Sequence, residues 1–383
     1  MLQDADVIIV GAGPAGSVAA TVLARAGVRV RLLDRAAFPR SKLCGDTVNP
    51  GTLAMLRRLG LAHAADNGGL RVDGMRVTSP DGLAIEGRYP PGRHGRALVR
   101  RDLDWALVQE ATAAAVQFEP ALAVRRAAVD SSLAGTIVKG VVVGTNGRER
   151  KLHAPVIVGA DGRQSTLAFS LGLARHPARP RRWAIGAYYE GAHGLSSLGE
   201  MHVRCGRYIG VAPLPGGLAN VCLVKPFGPG DERMRAPSSL LNDEIGRDPL
   251  LRERFAGARL VQPPVVLGPL ALDATPATIP GLILAGDAAG FIDPMTGDGL
   301  RFAVRGGELA AAAALQALEA GWKGVHERLT AARRREFSAK WRFNRTVRAI
   351  VASSTAVRAA AIGARFAPAV LRAMISVAGD CGL

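Results

Sequence analysis

Aromatic residues make up only 5% of the chain, and its 32 acidic residues are outnumbered by 49 Lys and Arg. The shortage of acid leaves a net charge of +17, which by itself invites nucleic acid, an anionic membrane or an anionic cofactor. The shortage of aromatics argues against the first of these. No recognition motif and no interleaved basic and aromatic platform is present, so no nucleic acid is expected as a partner. Cysteine is scarce too: Cys44, Cys205, Cys222 and Cys381 show neither CxxC pairing nor zinc spacing. That counts against a disulfide scaffold and a metal site, and the seven histidines, His63, His94, His153, His176, His193, His202 and His326, add no ligand spacing. No uncharged apolar run reaches the roughly 18 residues of a spanning helix. The leader before the first strand is acidic and too short for a signal peptide, and a reducing cytoplasm is the expected setting.

What is present begins at Asp6-Val-Ile-Ile-Val-Gly-Ala-Gly-Pro-Ala-Gly16, which reads as strand, tight turn and helix. Gly11 suits a backbone conformation closed to other residues, Gly13 lets the main chain approach a pyrophosphate, and Gly16 lets the helix lie close on its strand. Pro14 and Ala15 open the helix, where a missing N–H is no loss and free N–H groups with a positive dipole end face phosphate. Val28 to Leu33 has the alternation of a returning strand. Asp34 then stands where a carboxylate accepts the ribose hydroxyls of an adenosine. This is a dinucleotide fingerprint, and on its own it does not separate FAD from NAD.

The loop after Asp34 carries Arg35, Arg40 and Lys42 and ends at Cys44-Gly-Asp46, near the cofactor; Cys44 alone reads as a small buried hydrophobe or a redox-proximal thiol. Pro50 to Gly60 looks helical. Short alternating strands follow from Arg71 to Tyr89, turning at Ser79-Pro-Asp-Gly82. A helix is expected from Arg100 to about Phe118, with Asp102 and Asp104 suited to its dipole. A meander follows from Val124 to Leu152, and then a buried strand ending at Asp161-Gly162. Trp183 to Val224 and Arg259 to Leu272 return to strand alternation around a charged helical piece at 231–247. Tyr188, Tyr189 and Tyr208 are candidates to line the substrate cavity, with packing within these strands the preferred role. Gly281 to Asp287 is another strand ending beside an acid, and Pro294-Met-Thr-Gly-Asp-Gly299 leads into an alanine-rich helix from about Leu300 to Ala320. Glycines before a helix N-terminus repeat the anion-binding arrangement and suit a second negative charge, such as that on a reduced flavin. Between Lys323 and Arg372 there are twelve Lys/Arg and two Glu. Arg358, Arg365 and Arg372 recur every seven residues on one expected face, with Phe366, Val370, Met374 and Val377 on others. The stretch is compatible with lying on an anionic membrane or with packing on the enzyme body, and Pro368 would interrupt it.

Four separated motifs agree, and the chain resembles the FAD-dependent oxidoreductases built like p-hydroxybenzoate hydroxylase. Gly11, Gly13, Gly16 and Asp34 match that family's nucleotide fingerprint. Val99-Arg100-x-x-Leu103-Asp104 looks like its flavin-contacting arginine motif. Asp161-Gly162 matches its Asp-Gly element, and Gly286-Asp287 its Gly-Asp element, where the acid meets the flavin ribityl chain. Phe38-Pro-Arg-Ser-Lys-Leu-Cys-Gly-Asp46 and Phe291-Ile-Asp-Pro-Met-Thr-Gly-Asp-Gly299 are closest to the geranylgeranyl-reductase-like branch, and they make Cys44 a flavin neighbour. One segment departs. The branch carries Tyr-x-Trp-x-Phe-Pro over its substrate cavity, and flavin halogenases a related Trp-x-Trp-x-Ile-Pro. Here Tyr208-Ile-Gly-Val-Ala-Pro213 puts Gly210 and Ala212 at the bulky positions.

The resemblance implies an α/β fold: a Rossmann-like FAD-binding domain (1–70, 98–175 and 276–320), an interleaved β-sheet substrate domain (71–97 and 176–275) and C-terminal helices (321–383). It implies FAD as cofactor, with NAD(P)H as a transient donor, and a hydrophobic small-molecule substrate. The expected FAD contacts are Gly11, Gly13, Pro14, Ala15, Gly16, Asp34, Arg35, Arg40, Cys44, Arg100, Asp161, Gly162, Gly286, Asp287, Pro294, Gly297, Asp298 and Gly299. Cys44 and Asp46 are the expected catalytic pair. The departure at Gly210 and Ala212 favours a monooxygenase acting on an aromatic or polyketide-like substrate. The alternatives are a reductase of prenyl C=C bonds, towards which Cys44 and Asp46 point, and a peripheral membrane protein that holds FAD without turnover.

Overall fold

The computed structural model describes residues 3–382, apart from 43, 67, 133–134, 146–147, 179–181, 228–231, 292–294 and 296. Its centre is a parallel sheet of five strands in the spatial order Leu282–Leu284, Val156–Gly159, Val7–Val10, Val30–Leu33 and Gln117–Glu119. The Val-Ile-Ile-Val strand is buried on both faces, as expected when a parallel sheet is covered on both sides. Val7 and Ile9 pack with the helices Pro14–Arg25 and Gly299–Ala320, while Ile8 and Val10 pack against the antiparallel meander of Val124–Ser132, Gly135–Thr145 and Arg148–His153. Each such side chain stabilises by about 2 kcal/mol on burial, so one short strand anchors both layers.

A second sheet of eight strands contains Gly74–Thr78, Ala84–Arg88, Arg182–Glu190, Leu198–Arg204, Arg207–Leu214 and Leu218–Pro226. Period-two alternation divides its side chains cleanly. Ile185, Ala187, Tyr189, Ile209, Val211, Val221 and Leu223 pack beneath the helices Pro237–Arg247 and Arg252–Phe255. The opposite face carries Ala184, Tyr208, Cys222 and Val224 towards the helix Val325–Ala352, through Val347, Ile350 and Val351.

The Arg100 helix ends at Ala113, short of the expected Phe118. Ala115 turns left-handed at φ 70° and the Val116 N–H caps Ala111 O at 3.1 Å, which frees Gln117–Glu119 to become the outer strand beside Val30–Leu33. Asp231 lies outside the described residues, and the charged helical piece resolves into a short turn, Glu232–Arg235, and the helix Pro237–Arg247. The seven-residue arginine repeat is not one helical face. The chain breaks at Ala367–Pro368 into Ser354–Phe366 and Pro368–Ala378, because the proline takes the first helical position, where no N–H is needed.

The meander and the parallel sheet meet at Gly281. Its φ is +89°, and a Cβ there would lie 1.8 Å from Val138 O. Gly281→Ala is therefore expected to destabilise the apo protein by more than about 2 kcal/mol in urea denaturation, through both strain and the clash. A midpoint within error of wild type would show that this seam yields without cost.

Candidate cofactor and catalytic site

Three of the expected motifs are turns that leave the carboxyl edge of the parallel sheet side by side. Val10 pairs with Gly159 and Gly159 with Leu284, so Gly11, Asp161-Gly162 and Gly286-Asp287 stand together at the crevice where such sheets bind ligands. Gly11, at φ +100°, has no room for a side chain: a Cβ would be 2.4 Å from Ala160 O. At Gly16 a Cβ would be 1.9 Å from Gly11 O, which is why the helix can approach its strand. Pro14 and Ala15 are buried at the start of that helix, whose N-cap, Gly13, supplies no side-chain cap. The first-turn N–H groups are thus left for a ligand.

Asp34 is held by backbone donors: the Ala12 N–H at 2.8 Å and the Ala36 N–H at 2.9 Å. Arg40 spans the crevice, with its guanidinium 3.7 Å from Asp34 and 3.1 Å from Asp104. It lies 3.5 Å from where a Cβ on Gly13 would be, whereas Arg35 is exposed. Arg100 is buried and grips the fully buried Asp104 through Nε at 2.9 Å and Nη2 at 2.8 Å. Removal from water alone would favour a neutral guanidine; the Asp104 charge and the Cys44 thiol beside it raise Arg100 above its ordinary value.

Asp46 is 1% exposed. Its Oδ1 accepts the Arg100 N–H at 3.0 Å, its Oδ2 accepts the Asn220 amide, and the Tyr188 hydroxyl donates to the carboxyl as well. Asn220 also donates to Cys44 O at 2.7 Å. Burial pushes the Asp46 carboxyl up to about 6, against the opposing pull of those donors. Tyr188 rises too, first through burial and then through the Asp46 charge beside it. Asn220 was not foreseen from the sequence, and Tyr188 was assigned to strand packing. Their shared parity with Cys222 on one sheet face was the available signal.

Asp287 is half-buried. Loss of water raises its carboxyl, opposed by Lys42, Arg100 and Arg163 nearby, so Lys42 and Arg163 join the site without having been expected there. Burial lowers Arg163, with Asp287 as the opposing charge. Pro294 lies outside the described residues. Gly297 and Gly299 stand at the start of the long helix; among the described residues beyond its chain neighbours none comes within 4 Å of a Cβ on Gly297, and Phe291 reaches 4.0 Å at Gly299. Asp298 has its carboxylate on Lys340 at 2.9 Å and on Asn49 at 3.4 Å, and so ties that turn to the protein body.

These residues fit FAD. An uncapped helix N-terminus behind Gly13, where no Cβ stands in the way, suits the pyrophosphate. Among the described residues the buried Asp161 Oδ1 has no hydrogen-bond partner, while Oδ2 accepts the Thr166 N–H at 2.7 Å, which leaves an acceptor for a hydroxyl. Bound FAD would be held by Gly13–Gly16, Asp34, Asp161 and the Gly286-Asp287 turn.

Fold and site define the class: an FAD-dependent oxidoreductase built like p-hydroxybenzoate hydroxylase. The model of the FAD binding domain family matches residues 4–199. A digeranylgeranylglycerophospholipid reductase of Methanosarcina mazei is 31% identical over 330 residues, covering 82% of this chain and 76% of the relative. A menaquinone reductase of Mycobacterium tuberculosis is 32% identical, covering 81% and 76%. The crystal structure of a geranylgeranyl bacteriochlorophyll reductase-like protein of Thermoplasma acidophilum superposes with a TM-score of 0.80 at 22% identity, covering 93% of this chain and 90% of that one. The chain belongs to the FAD-binding domain family, in its geranylgeranyl-reductase-like branch.

Asp46 also sets a pH dependence. A carboxyl whose folded value is raised from 3.8 to about 6 favours folding most below the unfolded value and loses that contribution as pH climbs through 6. Relative to Asp46→Asn, the wild-type apo protein is therefore expected to lose about 3 kcal/mol of stability between pH 4 and pH 7, a window set by those two values. Parallel denaturation curves across that range would refute the burial-driven shift.

Proposed function

We propose that this enzyme reduces isolated C=C bonds in the prenyl chain of a lipid, with NAD(P)H as the transient electron donor. The observation that carries the reading is the Cys44-Gly45-Asp46 turn. It is clamped by Asn220 and Arg100 onto the sheet face that continues into the apolar seam of Met201, Val203, Tyr208, Val224 and Val351. Saturating an alkene requires a hydride on one carbon and a proton on the other, and an aliphatic chain needs an apolar bed. This turn offers a proton-bearing group at the head of one. The two relatives named above are both called reductases, which supports the same choice and reverses the preference for hydroxylation drawn from Gly210 and Ala212.

FAD, held by Gly13–Gly16, Asp34, Asp161 and the Gly286-Asp287 turn, would supply the hydride once reduced. The Cys44 thiol, beside the Arg100 guanidinium, supplies the proton, and solvent returns one to it afterwards. Asp46, saturated by Arg100, Asn220 and Tyr188, positions the turn rather than titrating in each cycle. The sum is alkene, NAD(P)H and H⁺ giving alkane and NAD(P)⁺. Asp34, Asp161 and the uncapped first helix orient the cofactor, and the sheet with the Val325–Ala352 helix excludes water from the reacting carbons.

A second reading, hydroxylation of an aromatic ring, rests on Gly210, which carries no side chain on the sheet face shared with Cys222, a Cβ there standing 3.9 Å from the nearest strand carbonyls. Product masses separate the two. A gain of about 2 Da per double bond under nitrogen supports reduction, and a gain of about 16 Da that needs air supports hydroxylation. For the proton donor, Cys44→Ala is expected to slow alkene reduction roughly 100-fold while flavin reduction by NAD(P)H, followed by absorbance, keeps its rate. Equal rates for both steps in wild type and variant would remove Cys44 from the chemistry.

A further inference from the structure

Among the described residues ten large apolar side chains are exposed, and five of them, Ile362, Phe366, Val370, Met374 and Val377, fall on the last two helices. Such a concentration is a surface patch rather than scatter. Ile362 and Phe366 are four residues apart on Ser354–Phe366; Val370, Met374 and Val377 follow helical spacing on Pro368–Ala378, so each helix presents an apolar stripe. Phe366 is 81% exposed.

The inner side of the same pair is firmly held. Val357 is buried in the seam of the substrate sheet, and Ile375 lies against Gly87, where a Cβ would be 2.0 Å from its Cδ1. Arg358 pairs with Asp81 at 3.3 Å. The end of the last helix is fixed by Gly51 N–H to Gly379 O at 2.9 Å, Arg301 to Asp380 at 2.9 Å and Lys340 to Ala378 O at 3.0 Å. The apolar stripes are thus presented outward by a braced element.

Charge selects the occupant. The two helices that carry the patch, Ser354–Phe366 and Pro368–Ala378, contain Arg358, Arg365 and Arg372 and no Asp or Glu. A second copy of this face would bring like charge against like charge, whereas a bilayer with anionic headgroups offers opposite charge around an apolar interior. We propose that the outward face of the helices Ser354–Phe366 and Pro368–Ala378 docks this enzyme on the surface of an anionic lipid bilayer. Ile362, Phe366, Val370 and Val377 enter the acyl boundary, and Arg358 and Arg372 lie at headgroup level. The docking stands on this patch alone and does not depend on which reaction the flavin performs.

The test is flotation of the full-length, FAD-loaded protein with phosphatidylcholine vesicles, with and without phosphatidylglycerol, at low and high salt and with no prenyl lipid present. Co-flotation is expected with the anionic vesicles, weakened roughly tenfold by high salt or by neutral lipid. Phe366→Ser with Val370→Ser is expected to weaken it roughly tenfold again while the flavin spectrum and flavin reduction stay as in wild type. The single variant Val377→Ser, expected to show a smaller loss in the same direction, covers the case in which the double variant fails to fold. Absence of wild-type flotation, equal binding to neutral and anionic vesicles, or undiminished flotation of the folded variants overturns the proposal. Dimerisation of wild type through this face without vesicle binding also overturns it and assigns the patch to a second copy. Because the vesicles hold no substrate, a failure of the C=C reduction reading leaves this result unaffected.

Discussion

A carboxylate taken out of water must be met by donors, and Asp46 is met from three places at once: the Arg100 main chain, the Asn220 amide and the Tyr188 hydroxyl. Asp46 follows the second strand of the nucleotide fold, Arg100 opens a helix of that fold, and Asn220 and Tyr188 belong to the other sheet. The one buried group therefore sets how the substrate sheet sits on the nucleotide fold, and it fixes Cys44 two residues away. Asp104 repeats the device one layer deeper: it takes Arg100 on one oxygen and Arg40 on the other, so the loop that follows Asp34 cannot drift from the helix that carries Arg100.

The nucleotide fingerprint was legible because everything it needs is local. Gly11, Gly13, Pro14, Gly16 and Asp34 lie within one strand, turn, helix and strand, and period and turn chemistry report them directly. The re-entry of the sheet at 156–159 and 282–284 was legible for the same reason, as short apolar runs ending in an acid. Asn220 was not, because an Asn in the middle of a strand looks the same whether it faces solvent or a buried carboxylate. Only the pairing of its strand with Arg182–Glu190 brings it beside Tyr188 and over Asp46. The end of the Arg100 helix was misplaced for a different reason: Val116 and Phe118 continue an apolar pattern that suits helix or strand, and the left-handed turn at Ala115 decides between them.

The basic excess divides into two populations. Arg40, Arg100, Lys42 and Arg163 gather about Asp104 and Asp287, where acids are present and a dianionic pyrophosphate adds more negative charge. The run from Phe337 to Gly379 has no acid of its own, and one of its arginines, Arg358, reaches back to Asp81 for a partner. Net charge alone does not distinguish a cofactor from a surface as the partner; the distribution of the few acids is what the docking proposal draws on.

Fold likeness does not choose the reaction, because the same scaffold serves flavin halogenases and prenyl-type reductases among its structural neighbours. In the proposed reading the choice falls to the groups gathered at the Cys44 turn. Oxygen transfer to a ring requires room and activated oxygen but no proton on the substrate carbon, so the space above Gly210 bears on it and the thiol does not. Alkene reduction requires a proton donor within reach of an apolar chain, held so that its conjugate base is stabilised. In the proposed reading Cys44, beside Arg100 on a turn pinned by Asn220, is that donor. The small residues Gly210 and Ala212 lie on the same sheet face as Cys222 and Asn220, so in the proposed reading they bear on which chain fits rather than on which bond is made.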